Sequence, residues 1–272
     1  MFAADLVLEE TTRQLLEAFV ANPSHGLMVS GEPGIGLYTI AREIGQSVFA
    51  KGTILYVLPE EGKEISIDQV RSLYTDTKST HEDGLVVIID DCDRMSVPAQ
   101  NALLKLLEEP PRHTLFLLTS HTPGNVLTTI RSRLSSIEAR RVTSTMSTAL
   151  IARHIIDANK QIQVNFLAQG RPAEILRLAS DDAQFAEQAS IIRDARSFLE
   201  NSMFERLMIV HQYSQRDKAL QLLDALSIVT IFTQRRGEQV PARRYVSVSS
   251  AIDNLHDNAH AKLQLMKLAL TL

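Results

Sequence analysis

His25-Gly-Leu-Met-Val-Ser-Gly-Glu-Pro-Gly-Ile-Gly-Leu-Tyr-Thr39 opens on a short apolar run, passes through Gly31, Gly34 and Gly36, and leads into Thr39-Ile-Ala-Arg-Glu-Ile-Gly-Gln-Ser-Val-Phe49. The run predicts a strand, the glycine-rich stretch a loop, and the segment after it a helix. In that order the three pieces let backbone amides at a helix N-terminus surround a phosphate. A loop that works on nucleotides also needs a Lys for the terminal phosphates and a Ser or Thr hydroxyl for magnesium. Here Leu37 stands at the lysine position and Tyr38 at the hydroxyl position, while Thr39 comes one residue late for the metal. Leucine has no charge, and tyrosine is too long to put its oxygen where the ion belongs. Three readings stay open at this point: a silent relic of a nucleotide site, a weak site working through backbone amides, and an unrelated turn.

Outward from the loop, Leu6 to Ala21 reads as a helix, Thr53-Ile-Leu-Tyr-Val-Leu58 as a strand and Ile67 to Tyr74 as a helix. Leu85-Val-Val-Ile-Ile89 is apolar without alternation, the mark of a strand buried on both faces in a parallel sheet covered by helices. Val97 to Leu107 predicts another helix, stopped by Pro110-Pro111, and Thr114-Leu-Phe-Leu-Leu-Thr119 another buried strand. Alternating strands and helices predict an α/β domain over residues 1–143, with ligands expected at the carboxyl ends of its strands. The third strand ends in Asp90-Asp91-Cys92-Asp93, where such domains hold a metal-organising Asp and a water-activating Glu. Asp90 fits the first role; Asp91 is one methylene shorter than the Glu it replaces. The three carboxylates could bind a cation unaided or form a solvated strand end.

From Ser144 the strand pattern gives way to helices, at Thr145 to Ala158, Val164 to Gln169, Pro172 to Ser180, Asp182 to Phe198, Phe204 to Tyr213, Arg216 to Thr233 and Ser249 to Leu270. They predict a small helical domain at 144–180 and an all-α bundle at 181–272. With 44% apolar and 22% charged residues and a net charge of −4, the composition is that of a globular protein and excludes disorder or a fibrous repeat. Eleven Gly and nine Pro in 272 residues are few breakers, which argues against an all-β fold. A single cysteine, Cys92, excludes an internal disulfide and suggests a reducing, cytoplasmic setting. No apolar run approaches the ~20 residues that span a bilayer, and the opening residues lack the basic segment of a signal peptide. Residues 1–100 carry 7 basic and 16 acidic side chains, residues 101–272 carry 21 and 16. The later surplus of positive charge is a weak footprint for nucleic acid.

Asn101-Ala-Leu-Leu-Lys-Leu-Leu-Glu-Glu-Pro-Pro111 is more particular than helix propensity requires. Together with the Gly31–Gly36 loop, Ile65-Ser-Ile-Asp-Gln-Val-Arg71, the Asp90-Asp91 strand end, Leu115 to Ser120 and Thr129-Ile-Arg-Ser-Arg-Leu134, it resembles the clamp-loader branch of the AAA+ ATPases, most of all its bacterial delta-prime type. The resemblance covers residues 5–180, and the helical tail suits the family's collar domain. Ser132-Arg133-Leu134 is similar to the family's Ser-Arg-Cys motif, with Leu134 in the cysteine position.

The resemblance implies an AAA+ domain, a helical lid and a collar, in a subunit of the DNA polymerase III clamp loader that does not hydrolyse ATP and needs no cofactor of its own. Arg133, beside Ser132, is implied to act as an arginine finger on a neighbour's nucleotide, its planar fork matching charge that builds on the γ-phosphate. The implied partners are ATP-hydrolysing subunits, a delta-type subunit and, through the complex, the sliding clamp and primer-template DNA. Two rivals are an ATP-hydrolysing subunit with unorthodox motifs and a free-standing AAA+ adaptor. Bacterial relatives usually carry a four-cysteine zinc module before the acidic strand; here that interval holds no cysteine and one histidine, His81, so zinc is not expected. The nucleotide-sensing arginine of active relatives corresponds to Ala173, with Arg171 two residues away. Thr119, Ser120 and His121 occupy the sensor position and are expected to be structural. His256 and His260 read as an exposed pair rather than metal ligands. Arg235-Arg236 and Arg243-Arg244, flanking Pro241, are expected in a turn that could meet another subunit, a single-strand-binding partner or DNA, or simply be solvated.

Overall fold

A computed structural model describes residues 6–60, 62–77, 82–237, 239–256 and 259–272. The chain divides into two compact units, Met1–Ser180 and Asp181–Leu272. In the first, chain order is α1 (Glu10–Ala21), β1 (Gly26–Ser30), α2 (Leu37–Val48), β2 (Thr53–Val57), α3 (Ile67–Asp76), β3 (Leu85–Ile89), α4 (Val97–Glu108), β4 (Thr114–Ser120), α5 (Thr128–Arg131) and β5 (Ser135–Glu138), followed by α6 (Ser144–His154), α7 (Ala158–Ala168) and α8 (Pro172–Ser180). The five strands form one parallel sheet in the order β2-β3-β4-β1-β5. His81 lies outside the described residues, and among them no helix is long and apolar enough to cross a membrane.

Every residue of β1, β3 and β4 is buried, because helices cover both faces of the sheet. Leu27, Val29, Val86, Ile88, Leu115 and Leu117 pack with Ile40 and Ile44 of α2 on one face. Met28, Val87, Ile89, Phe116 and Leu118 pack with Val70, Leu103 and Leu107 on the other. This explains the unbroken apolar runs: successive side chains enter opposite cores. The register sets Val29 beside Thr119 and Ser30 beside Ser120, and Ile89 beside Leu118. The carboxyl ends of β1, β3 and β4 therefore converge, bringing together the glycine-rich loop, the Asp90-Asp91 end and the residues after β4.

Several elements depart from the sequence reading: α1 starts at Glu10 rather than Leu6 and α6 ends at His154 rather than Ala158. β5 was not expected, since Ser135-Ser136-Ile137-Glu138 buries only Ile137; pairing with β1 makes it a strand. α7 begins at Ala158, six residues before the predicted start, where the Asp157 carboxylate accepts the Lys160 N–H at 2.8 Å. The helix expected over 249–270 is two, α12 and α13 below, and Arg243 and Arg244 lie in the first turn of α12 rather than in a connecting turn. Pro241 accounts for the early start, because its fixed φ and missing N–H suit the entrance to a helix.

The second unit consists of α9 (Asp182–Glu200), α10 (Met203–Gln212), α11 (Arg216–Arg235), α12 (Ala242–His256) and α13 (Ala261–Thr271). Phe198, Leu222, Leu226, Leu255 and Leu265 are fully buried at its centre. Tyr213 donates to Asp194 Oδ2 at 2.7 Å, tying α10 to α9; burial and that carboxylate push its phenol up. Arg236 is exposed, its guanidinium 5.3 Å from the Phe232 ring centroid. The side chains of Arg235 and His256 lie outside the described residues, and His260 is exposed.

Candidate functional site

The loop between β1 and α2 has the backbone of a cradle and the side chains of a core. Gly34 and Gly36 sit at φ +87° and +98°, the left-handed region that favours glycine, and Gly36 caps α2. Leu37 is 3% exposed and joins the α2-side core. A Cβ placed on Gly31 would lie 2.8 Å from the backbone oxygen of Ala139, 3.3 Å from Leu37 Cδ2 and 3.5 Å from Ile35 Cδ1, so the chain passes tightly over the segment after β5 and the side chains of Leu37 and Ile35. Tyr38 turns to the sheet edge, its ring 5.9 Å from that of Tyr56, and burial pushes its phenol up, with Tyr56 adding to the shift. Thr39 is exposed.

The first turn of α8 closes over this loop. The Glu174 N–H donates to Gly34 O at 3.0 Å, and a Cβ on Gly36 would meet Ala173 Cβ at 3.2 Å. Ala173 thus faces the loop with a methyl group. The Arg171 guanidinium is turned to backbone carbonyls, donating to Ala168 O at 2.9 Å, Leu167 O at 3.1 Å and Pro33 O at 3.3 Å. Glu32 is gripped by Arg141, whose Nε lies 2.9 Å and Nη2 2.5 Å from Oε2. The loop is therefore fastened to residues that follow the sheet, more than a hundred positions later.

At the acidic strand end each carboxylate has its own partner. Thr119, fully buried, donates its hydroxyl to Asp90 Oδ1 at 2.5 Å and accepts the Asp91 N–H at 2.9 Å. Asp93 accepts the His121 N–H at 3.1 Å. His121 Nδ1 lies 2.8 Å from Gly31 O, and since a carbonyl only accepts, Nδ1 carries a proton. Its Nε2 is 3.5 Å from Asp91 Oδ1. Among the described residues no group of three or more His, Cys, Asp or Glu could hold a metal ion. Cys92 is buried, and burial pushes its thiol up, which makes it unreactive.

Asp91 is the strained member of this end. Its φ is +49°, and burial, with Asp90 next to it, holds its carboxyl above the ordinary range. Native Asp91 keeps its proton to a higher pH than the unfolded chain does, so stability falls as pH rises through that interval. Asp91→Asn removes the charge and suits a left-handed backbone. It is expected to raise the unfolding midpoint at pH 7.5, with the gain shrinking as pH falls toward the unfolded Asp value of about 3.9. Thermal unfolding at several pH values checks this; a gain independent of pH would contradict the electrostatic part.

Ser132 and Arg133 follow α5. Ser132 is exposed and donates its hydroxyl to Thr129 O at 3.1 Å. Arg133 Nη1 donates to Thr129 O at 2.8 Å and Nη2 to Glu108 Oε1 at 2.7 Å, with about a third of the side chain, 35%, open to solvent. Leu134 is buried beneath them. Sequence reasoning missed Gln100. It lies on the buried face of α4, donates to Met95 O and Asn125 O at 3.1 Å each, and accepts the Leu127 N–H at 2.8 Å. The signal that could have found it is an amide between Ala99 and Leu103 on an apolar stripe. Asp90, Asp91 and the loop thus meet at the carboxyl end of the sheet, whereas Ser132 and Arg133 come just before β5, whose first residue pairs with Leu27 at the amino end of the parallel strands.

Residues 51–143 match a sequence family described as DNA polymerase III, delta subunit. The chain is 27% identical over 278 residues to DNA polymerase III subunit tau of Bacillus subtilis, covering 92% of this chain and 44% of the relative. It is 33% identical over 150 residues to DNA polymerase III subunit delta' of Pseudomonas aeruginosa, covering 53% of this chain and 45% of the relative. The chain thus spans less than half the length of these curated relatives. Among solved structures, a DNA polymerase III gamma subunit-related protein from Thermotoga maritima is similar with a TM-score of 0.58 over 96% of this chain and 98% of that one, at 20% identity, a likeness of fold.

Proposed function

We propose that this chain, a member of the clamp-loader branch of the AAA+ proteins, serves as a delta-prime-type subunit of a DNA polymerase III clamp loader that lends Arg133 to a neighbour's nucleotide and hydrolyses none itself. Its partners on this reading are ATP-hydrolysing subunits and a delta-type subunit, and through them the sliding clamp and primer-template DNA. The observation that carries the reading is the buried Leu37 at the position of the phosphate-binding lysine. A triphosphate placed there would find backbone dipoles but no lysine from the loop itself, and the guanidinium groups beside the loop are engaged, Arg171 with backbone carbonyls and Arg141 with Glu32. The likeness to tau over most of the chain favours a second reading, an ATP-hydrolysing subunit; the buried Leu37 and the methyl group of Ala173 weigh against it.

Calorimetry of the isolated protein with ATP and magnesium separates the two. We expect neither sub-micromolar binding nor turnover. Leu37→Lys alone is expected to leave turnover absent, because Tyr38 offers no magnesium ligand and Asp91 is one methylene shorter than the Glu that would activate water. Tight, magnesium-dependent binding by the unaltered chain would overturn the proposal.

A further inference from the structure

The two adjacent carboxylates at the end of α4, Glu108 and Glu109, have no reason within the helix itself. A negative side chain in the last turn faces the negative end of the helix dipole and is mildly unfavourable there. Glu108 is the last residue of α4, and its Oε1 accepts from Arg133 Nη2 at 2.7 Å. The other terminal nitrogen, Nη1, donates to Thr129 O at 2.8 Å. The two acceptors belong to different elements, α4 and α5, so the guanidinium plane is fixed at both ends. Two of its five N–H donors are used by these bonds, which leaves enough for a bidentate contact with a phosphoryl group. Removing Glu108 would leave one tether on a long side chain with many rotamers.

We propose that Glu108 is the positioning residue of Arg133, holding the fork in one orientation so that a nucleoside triphosphate presented by another subunit meets a preformed donor pair. The inference rests on the finger reading of Arg133 and adds a hydrogen-bond acceptor that the reading alone does not require. What positions the fork is acceptor geometry: Gln keeps an oxygen at the same reach, whereas Ala removes it.

The test is a reconstituted loader carrying Glu108→Ala, Glu108→Gln, Arg133→Ala or the double variant Glu108→Ala with Arg133→Ala, read as kcat and KM for ATP. Glu108 is half exposed, so all four are expected to fold and assemble, which gel filtration checks. Glu108→Ala should lower kcat at the site served by Arg133 about three- to tenfold, the cost of one newly mobile side chain. KM should stay unchanged, since the neighbour's own loop binds the nucleotide. Glu108→Gln should stay within about twofold of wild type, and the double variant should match Arg133→Ala alone. A wild-type or faster rate for Glu108→Ala, while Arg133→Ala is slow, overturns the positioning role and leaves the finger standing. An equal loss in the Arg133→Ala background would place Glu108's effect elsewhere. If Arg133→Ala itself turns over at the wild-type rate, the finger reading fails and this inference with it.

Discussion

Arg133→Ala in a reconstituted loader is expected to lower turnover at the single site that the arginine serves by about 10³–10⁵-fold, with fold and assembly unchanged. The stability expectation follows from exposure: the Arg133–Glu108 pair is 35% and 49% open to solvent, and surface pairs contribute about 0–1 kcal/mol. The rate expectation follows from charge. A γ-phosphoryl group gains negative charge on its outer oxygens during transfer, and a fixed guanidinium stabilises that change in the transition state more than in the ground state. In a complex with several hydrolysing sites the bulk rate would fall only in part, so single-turnover measurements are needed to resolve the affected site. Arg133→Lys should not restore it fully, because a point charge cannot hold two phosphoryl oxygens in one plane. Unchanged rates at every site would reduce Arg133 to an interface residue.

Gln100→Ala is expected to destabilise the first unit by about 2–4 kcal/mol. The substitution removes the partner of the buried Met95 carbonyl and of two part-buried groups, the Leu127 N–H and the Asn125 carbonyl. Met95 is 4% and Val126 1% exposed, so water has least access at the Met95 carbonyl. Gln100→Leu keeps the volume and should fare little better, which separates lost hydrogen bonds from a cavity. Gln100→Glu should be at least as costly, since it sets a carboxylate against two carbonyl oxygens. Denaturant unfolding followed by circular dichroism measures all three; a change below about 0.5 kcal/mol for each would mean that the segment after β4 is held by other contacts.

What could be read from the sequence was what depends on near neighbours. Leu27 to Val29, Leu85 to Ile89 and Leu115 to Leu118 announced buried parallel strands because no polar residue interrupts them. Leu37 and Tyr38 stood out because the spacing from Gly31 fixes which residue types the loop chemistry requires. β5 was illegible, since its four residues become a strand only by pairing with β1. The closure of α8 over the loop joins residues 34 and 174, and the hold on Arg133 joins residues 108 and 133; neither leaves a local pattern. The division into α12 and α13 leaves little trace in the pattern, because Val246, Leu263 and other apolar residues continue on both sides of it.

The contact between α8 and the loop also bears on how signals could pass through this unit. A ligand shifts a conformational balance only by binding one arrangement better than another. The Glu174 N–H on Gly34 O and Ala173 against Gly36 join α8 to the loop directly. On the proposed function, the angle between the sheet and the helices that follow it would be set by covalent connection and packing. On that reading amide exchange of residues 31–37 should be indifferent to added ATP, and protection that rises with ATP would contradict it.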